Sequence, residues 1–540
     1  MIRTRRRKCF AVLFLIGILL SAVACPKVHA DSLYIIRVGL TKQLKQQSSV
    51  KVSTKKIALG YCVNNRFSEY IHFTNRSGFT FSPATGYYLV SDTVYPDYAS
   101  VIKVYQKLCK VKSLKNSTYV AMIGKNKWSI YVGGKKDVQK VMSLQEKAEA
   151  KSKTTFSVSA YNGHRIKVSG GSFALLYDGD ETGQYVQISA NVLNKKGSKT
   201  LTVNGYEYRG RMEIGTYGAG KLTVVNITNV ENYLRSVVGS EMDASYPMEA
   251  LKAQAIVSRT FAQNHCDNSG DTNTVTPYTL NDTDHVSTTS SQQYGGYAKE
   301  RKDAVLAVTS TRGICIYDKG SQIDAAFFPS SGGRTEDAVN IWGTKRNYLL
   351  PVADVMELSY AGKAWRKDYT PEQLGQLVGL KAIVSAKVDA QTASGRLDAV
   401  TFTDTEQKSI TLKHDNIRVR LGLNSTKCRL ITKKEDISSL FLKGTEETRE
   451  VEDLTGAVVL SANKRVTTLA ESGTVVVAGK DNTSATVSKA SVKDGVYTFV
   501  GLGNGHGAGM SQAGAKARAL AGQSAENIIR YYYGPSVSMK

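Results

Sequence analysis

The chain runs to 540 residues and carries 71 lysines and arginines against 46 aspartates and glutamates, a formal charge of +25. Its 41% hydrophobic and 22% charged residues exclude wholesale disorder. Its length exceeds one ordinary core, which implies roughly two to four lobes or a domain with large insertions. The basic excess fits either a polyanionic partner or a surface kept soluble by like charge. With no helix-turn-helix, zinc-finger spacing or RNP-like aromatic motif, nucleic acid is not the expected partner.

Arg3, Arg5, Arg6, Arg7 and Lys8 form a basic start, followed by an apolar run over 10–24 and by Val28-His29-Ala30. Roughly 15 apolar residues fall short of the about 20 that span a bilayer, so 1–30 reads as an export signal ending at small residues. A retained membrane anchor is the second reading. A lipid anchor at Cys25 is disfavoured by Ala22, which stands where leucine is usual. Removing 1–30 takes away six basic residues and leaves +19, a charge that suits the polyanions of a cell envelope. Cys62, Cys109, Cys266, Cys315 and Cys428 then remain. Odd in number and without a CxxC, they make neither a disulfide framework nor a zinc finger. Buried free thiols, or one bridge such as Cys62–Cys109, stay open.

In chain order, 33–40 and 57–61 read as strands, Tyr98–Cys109 as a helix, 120–122 and 128–132 as strands, and 138–150 as a helix. This predicts a small βαββα unit over 57–150. It bears a weak resemblance to a SPOR-type peptidoglycan-binding module; an insertion that packs on its neighbours is the equal alternative. From 155 to 230 an all-β pattern follows, with strands near Val168 and at Phe173–Tyr177, 185–188, 199–203, 206–210 and 222–226. Pro247 opens a helix over 248–263, and 267–295 is a polar loop. A helix over 304–311, strands at 313–317 and 323–328, and a helix over 371–380 come next. Residues 382–432 are β, 433–497 read as an insertion, and a Gly-rich loop and a helix close the chain. The expected fold class is α+β, with β-rich lobes and a few helices around a cleft.

Three segments could carry chemistry. Glu241 sits between an apolar stretch and the helix starting near 248. Partial desolvation there would raise its pKa and suit it to donate a proton near neutrality; a helix cap or dipole partner is the plainer reading. Ser330-Ser331-Gly332-Gly333 follows a strand, and its small residues would let a ligand approach backbone N–H groups and hydroxyls. A tight turn is the alternative. The third segment is Gly503–Gly514, which holds Gly-His-Gly-Ala-Gly-Met-Ser-Gln. It lacks the ending of a phosphate-binding P-loop, and Ser511 lies in GxSxxG rather than in a nucleophile elbow. A His506–Ser511 hydrolase pair is a minor reading.

Taken in order, several pieces resemble the SpoIID/LytB family of sporulation and amidase-enhancer proteins. They are Tyr208-Arg209-Gly210, Val225-Asn226, Ser240-Glu241-Met242, Ala250-Leu-Lys-Ala-Gln-Ala255 with Arg259-Thr260, and Ser330-Ser331-Gly332-Gly333. Ile341-Trp342-Gly343 with Tyr348-Leu349, Ser394-Gly395-Arg396, Arg418, the His506–Gly514 motif and Tyr532-Tyr533 complete the series. The resemblance covers nearly all of 200–540 and starts at 36–40. It implies a core made of 31–56, 151–432 and 498–540, with 57–150 and 433–497 as additions, around a glycan-binding cleft. It implies peptidoglycan remodelling, since sporulation members cut glycan strands between N-acetylmuramic acid and N-acetylglucosamine and leave a 1,6-anhydro end. One carboxyl suffices for that: it protonates the leaving oxygen, then takes the proton of the sugar's own 6-hydroxyl. No second carboxylate is needed, unlike in two-carboxylate glycosidases. The family's acid/base glutamate falls on Glu241. Lys252, Gln254, Arg259, Ser330, Ser331, His506, Ser511 and Gln512 fall on motif positions expected to line the groove. The implied partners are glycan strands, anionic wall polymers and, on the rival amidase-enhancer reading, a wall amidase.

Sporulation members also hold zinc through loop cysteines before a Gln-x-Tyr and a histidine. Here Ser291 precedes Gln292-Gln293-Tyr294, and Asn281 stands near the other cysteine position. His265, Cys266 and His285 are too few and too scattered for a tetrahedral site, so no metal or cofactor is expected.

Overall fold

The computed structural model describes residues 35–540 apart from 41–43, 64–65, 171–172, 180–184, 191–199, 217–219, 266–291, 360–363 and the stretches between short strands in 433–494. The expected signal at 1–30, and the loop residues Cys266, Asn281, His285 and Ser291, lie outside the described residues.

Two sheets make up the first half. One has six antiparallel strands in the order Ile35–Gly39, Thr223–Asn229, Arg211–Gly215, Val186–Ser189, Lys56–Val63 and Arg66–Thr74. The other has ten, running from Tyr206–Arg209 through Thr200–Val203, Val50–Val52, Phe79–Pro83, Ile166–Gly170, Phe173–Tyr177, Thr118–Gly124, Lys127–Lys135 and Tyr87–Ser91 to Phe156–Ser159. Only the pairing of Phe173–Tyr177 with Thr118–Gly124 is parallel within it. Strands from 57–150 thus share both sheets with strands from 35–52 and 156–229, and no break in hydrogen bonding sets them apart as a module.

Eleven helices lie among the described residues. In chain order they are α1 (Tyr98–Cys109), α2 (Val138–Met142), α3 (Gln145–Ser152), α4 (Val230–Glu241), α5 (Met248–His265), α6 (Lys302–Ser310), α7 (Ala338–Trp342), α8 (Pro371–Val378), α9 (Asn416–Leu421), α10 (Gln512–Leu520) and α11 (Ala525–Tyr533). None is long and apolar enough to cross a membrane. α4 follows strand Thr223–Asn229 with no loop. Asn229 ends the strand and caps the helix, its side chain accepting the Asn232 N–H at 2.8 Å. α5 buries eleven of its eighteen residues, because α4, α6, α10 and α11 all pack on it.

A smaller lobe has its own core of Leu374, Val378, Val400, Phe402, Ile417 and Phe499. There Tyr497–Gly501 lies between Trp365–Tyr369 and Cys428–Ile431. The chain therefore leaves at Ile431 and returns at Tyr497 on a neighbouring strand, and 432–496 is an excursion between paired strands. The described residues are mixed α+β and strand-rich, about 28% helix and 36% strand. Cys109, Cys315 and Cys428 are free thiols, so a Cys62–Cys109 bridge is not formed.

Arg259 holds the helical layer together. It is fully buried on α5. Its Nε and Nη2 each donate to a Glu231 carboxylate oxygen on α4 at 2.8 Å, and it also reaches the carbonyls of Val308 on α6 and Ile314. This corrects the expectation that Arg259 lines a groove: its fork is spent inside the fold. Arg259→Ala leaves Glu231 beside an apolar core without its partner and should cost about 3–5 kcal/mol. Urea unfolding measures this, and a loss under about 1 kcal/mol would contradict the anchoring role.

Candidate active site

Glu241 is the last residue of α4, followed by a turn over 242–247 before α5. It does not stand at the start of the next helix, as the sequence suggested, and its side chain caps nothing. A helix C-terminus is the negative end of the dipole and disfavours a carboxylate. Arg301 takes up the carbonyls of that last turn, its Nη1 donating to Gly239 and Met242 at 2.8 Å each. The half-buried Glu241 carboxyl accepts the Gln293 backbone N–H on Oε1 at 2.7 Å and the Gln512 side-chain amide on Oε2 at 3.2 Å. Burial raises its pKa above the ordinary value, and the two hydrogen bonds pull it partly back.

The Gln293 amide is placed by its neighbours. Gln292 is buried, accepts the Tyr233 hydroxyl at 2.8 Å and donates to the Ser258 carbonyl at 3.2 Å. Tyr294 is buried too, donates to Asn226 Oδ1 at 2.6 Å and packs its ring 5.0 Å from that of Tyr233. The outer residues of the Gln-x-Tyr segment are therefore framework, and the middle residue's N–H meets the carboxyl. Sequence reasoning noted the segment for zinc and missed this contact.

Gln512 is placed from the other side. Strands Phe327–Phe328 and Met510–Ser511 pair in parallel, and Ser330 bridges Asn504. Gly509 makes that approach, at φ +84, where an added Cβ would sit 2.0 Å from the Ala326 carbonyl. Ser511 caps α10 by accepting the Gly514 N–H and donates its hydroxyl to Glu357. The fully buried Glu357 also accepts Ser330 Oγ at 2.6 Å, Ser331 N–H at 2.8 Å and Gly332 N–H at 2.9 Å. Behind it, buried Asp354 accepts from Tyr532 at 2.8 Å, Ser331 Oγ at 3.3 Å and Arg518 at 3.4 Å. Burial and the adjacent Glu357 push the Asp354 pKa up to about 7.

The structure thus joins Glu241 to Gln512, and gathers Ser330, Ser331 and Ser511 on Glu357. The three serine hydroxyls are turned into the fold rather than offered to a ligand. Lys252 pairs with Glu249 at 2.8 Å near the start of α5. Gln254 is fully buried and donates to Ser258 Oγ at 2.8 Å. Neither is a hydrogen-bond partner of Glu241. His506 donates from Nε2 to the Phe327 carbonyl at 3.0 Å and accepts the Ala508 N–H on Nδ1 at 3.2 Å. Burial lowers its pKa to about 4, so the ring is neutral. With His506 and Ser511 each engaged elsewhere, they form no hydrolase pair. His506 instead packs between Phe328 and the exposed Trp342, its ring tilted against theirs at 5.3 and 5.1 Å. Asp354 and Glu357 carry no periodic or motif signal and were not found from the sequence.

Asp354 sets a pH dependence. The folded protein holds its proton up to about pH 7, the unfolded chain only to about pH 4. Between these limits the folded state binds more protons, so this contribution to stability is lost as pH rises. His506 acts in the opposite sense below about pH 6.5, but equally in both proteins compared. The melting temperature of the natural chain should fall relative to that of Asp354→Asn between pH 5 and 7.5. A difference independent of pH would show that Asp354 titrates normally.

Comparison with known proteins adds a family. The SpoIID model, "Stage II sporulation protein", matches residues 218–317, which hold α4, α5 and Glu241. The amidase enhancer of Bacillus subtilis is 30% identical over 316 residues, 56% of this chain and 39% of that protein. The match therefore spans well under half the relative's length. Stage II sporulation protein D of Bacillus subtilis is 27% identical over 63% of this chain and 80% of its own. An uncharacterised protein of Brachyspira hyodysenteriae is 36% identical over 150 residues, 28% of this chain and 38% of its own. The chain thus carries the SpoIID match over 218–317 and is similar over more than half its length to an amidase enhancer and to stage II sporulation protein D.

Proposed function

We propose that this protein is a peptidoglycan lytic transglycosylase that cleaves the MurNAc–GlcNAc bond of glycan strands with Glu241 as its single acid/base, giving 1,6-anhydro ends. The observation that carries this reading is the Glu241 carboxyl itself: half-buried, raised in pKa, with each oxygen held by an uncharged N–H donor. A carboxyl of that kind stays protonated long enough to give its proton to the leaving oxygen. It can then accept one from the 6-hydroxyl as the ring closes, so no water need be activated. The relatives' names support work at the cell wall, outside the cytoplasm; that 1–30 is an export signal, that glycan strands and anionic wall polymers are the partners, and that nucleic acid is not, are part of the proposal.

The second reading is an amidase enhancer that binds wall and stimulates an amidase without cutting glycan. The amidase-enhancer relative favours it, as does the internal, structural use of Gln254, Arg259, Ser330, Ser331 and Ser511. On either reading we propose that the protein needs no structural zinc. Of the candidate ligands, His265 directs Nδ1 at the Phe261 carbonyl, 3.0 Å away, and Nε2 towards Asp324 at 3.7 Å. One equivalent of tightly bound zinc, lost in Cys266→Ser, would overturn that.

Glu241→Gln keeps the size and removes the titrating proton. Mass spectrometry of digested wall should show anhydro products reduced about 10²–10⁴-fold, with an unchanged melting temperature. Full activity in this variant removes the assignment. A natural chain that makes no anhydro product yet stimulates a wall amidase establishes the second reading.

A further inference from the structure

The positive charge of the chain is concentrated. Residues 98–153 carry thirteen lysines, no arginine and three acids, a net +10 of the chain's +25. All thirteen lysines are exposed, and none is ion-paired among the described residues. Two of the three acids are spent on the backbone. Asp137 caps α2, and Glu149 accepts the Phe156 N–H and the Gln145 amide.

The fold arranges these charges. α1 packs on strands Thr118–Gly124 and Lys127–Lys135 and against α3. Val101 and Leu108 bury its inner face, while Lys103, Lys107 and Lys110 stand at i, i+4 and i+7 on the outer one. On the neighbouring α3, Lys147 and Lys151 stand at i and i+4 around the inward Ala148. Two contacting helices therefore present exposed ammonium groups over the sheet. Lysine is a compact, strongly hydrated point charge that attracts a run of phosphates without demanding bidentate geometry, unlike arginine. A membrane-lying face would alternate such lysines with exposed Trp, Phe or Leu. Between 98 and 153 the sole exposed large hydrophobic side chain is Met142.

We propose that the α1–α3 layer is a docking surface for a phosphodiester-containing anionic wall polymer of teichoic-acid type, which holds the protein on the wall while Glu241 faces the glycan. This rests on the wall location argued above, but not on the chemistry at Glu241.

The test compares the purified chain with the variant carrying Lys103→Gln, Lys107→Gln, Lys110→Gln, Lys147→Gln and Lys151→Gln. All five positions are exposed, and glutamine keeps their helix propensity. Sedimentation is measured with intact wall, with wall stripped of phosphate polymers by hydrofluoric acid, and with anionic phospholipid vesicles. The natural chain should bind intact wall about tenfold or more better than stripped wall. Its affinity should fall linearly on a log scale with salt, and the slope should shrink by about 0.7 for each lysine that engages a phosphate. The variant should lose that preference and still cleave stripped glycan at the natural rate. Equal binding to both walls, or an unchanged variant, overturns the proposal, and preference for vesicles over wall replaces it with a membrane surface. Loss of cleavage in the natural chain with polymer binding intact would strike the activity and leave the docking surface standing.

Discussion

The site depends on one buried carboxylate that does no chemistry of its own, Glu357. Two small-residue loops, one near Ser330 and the other near Ser511, come from distant parts of the chain and have little side-chain bulk to pack. Their hydroxyls and N–H groups would each cost about 1–3 kcal/mol if buried without acceptors. A carboxylate has about four acceptor sites, and Glu357 fills them with Ser330 Oγ, Ser331 N–H, Gly332 N–H and Ser511 Oγ. Because Ser511 is also the N-cap of α10, this knot fixes where the helix begins. The first residue of the helix is Gln512, and its amide reaches Glu241. The geometry at the Glu241 carboxyl is thus set one residue away from a structural contact.

The same division separates the protein's charged groups by task. Arg259 and Arg396 are buried, and each directs its guanidinium at groups of the fold: Glu231 for one, the Ser331 carbonyl at 3.0 Å for the other. Their planar forks suit fixed partners of known geometry. The lysines of 98–153 are instead left in water, on helices, strands and turns whose inward residues are already packed. Buried charge specifies the fold, and unpaired surface charge is left for something outside it.

Much of the fold was legible because its signals are local. Helix α1 shows its buried Val101 and Leu108 at helical spacing, α8 has Pro371 at its start and Gly379 at its end, and strand Phe173–Tyr177 is bounded by polar turns. Helix α4 was not legible. Its cap, Asn229, is also the last residue of a buried strand, so one apolar run contains both periods and no punctuation. That misreading moved Glu241 to the wrong end of a helix. The site was legible as a set of motifs and not as roles. Ser330, Ser331 and Ser511 look like ligand donors until the acceptor is known, and Glu357 lies in one short 3-10 turn, Val355–Ser359, that carries no motif. The sheet membership of 57–150 was hidden for a related reason: pairing between distant strands leaves no mark on spacing within either one.

What surrounds Glu241 also explains why one carboxyl could serve as both acid and base. A neighbouring ammonium or guanidinium would stabilise the carboxylate and pull the pKa down, leaving a poor donor. Lys252, which the motif places only eleven residues away, is held by Glu249 instead, and Arg301 is occupied by backbone carbonyls and Asp303. Among the described residues, the two groups that hydrogen-bond the carboxyl are amides, a backbone N–H and a glutamine side chain. They fix its orientation without adding charge, and they accept either protonation state at modest cost. Burial raises the pKa while these two donors restrain the rise. On the proposed reaction, a carboxyl shifted upward by burial and held only by neutral donors is suited to give a proton and take one back.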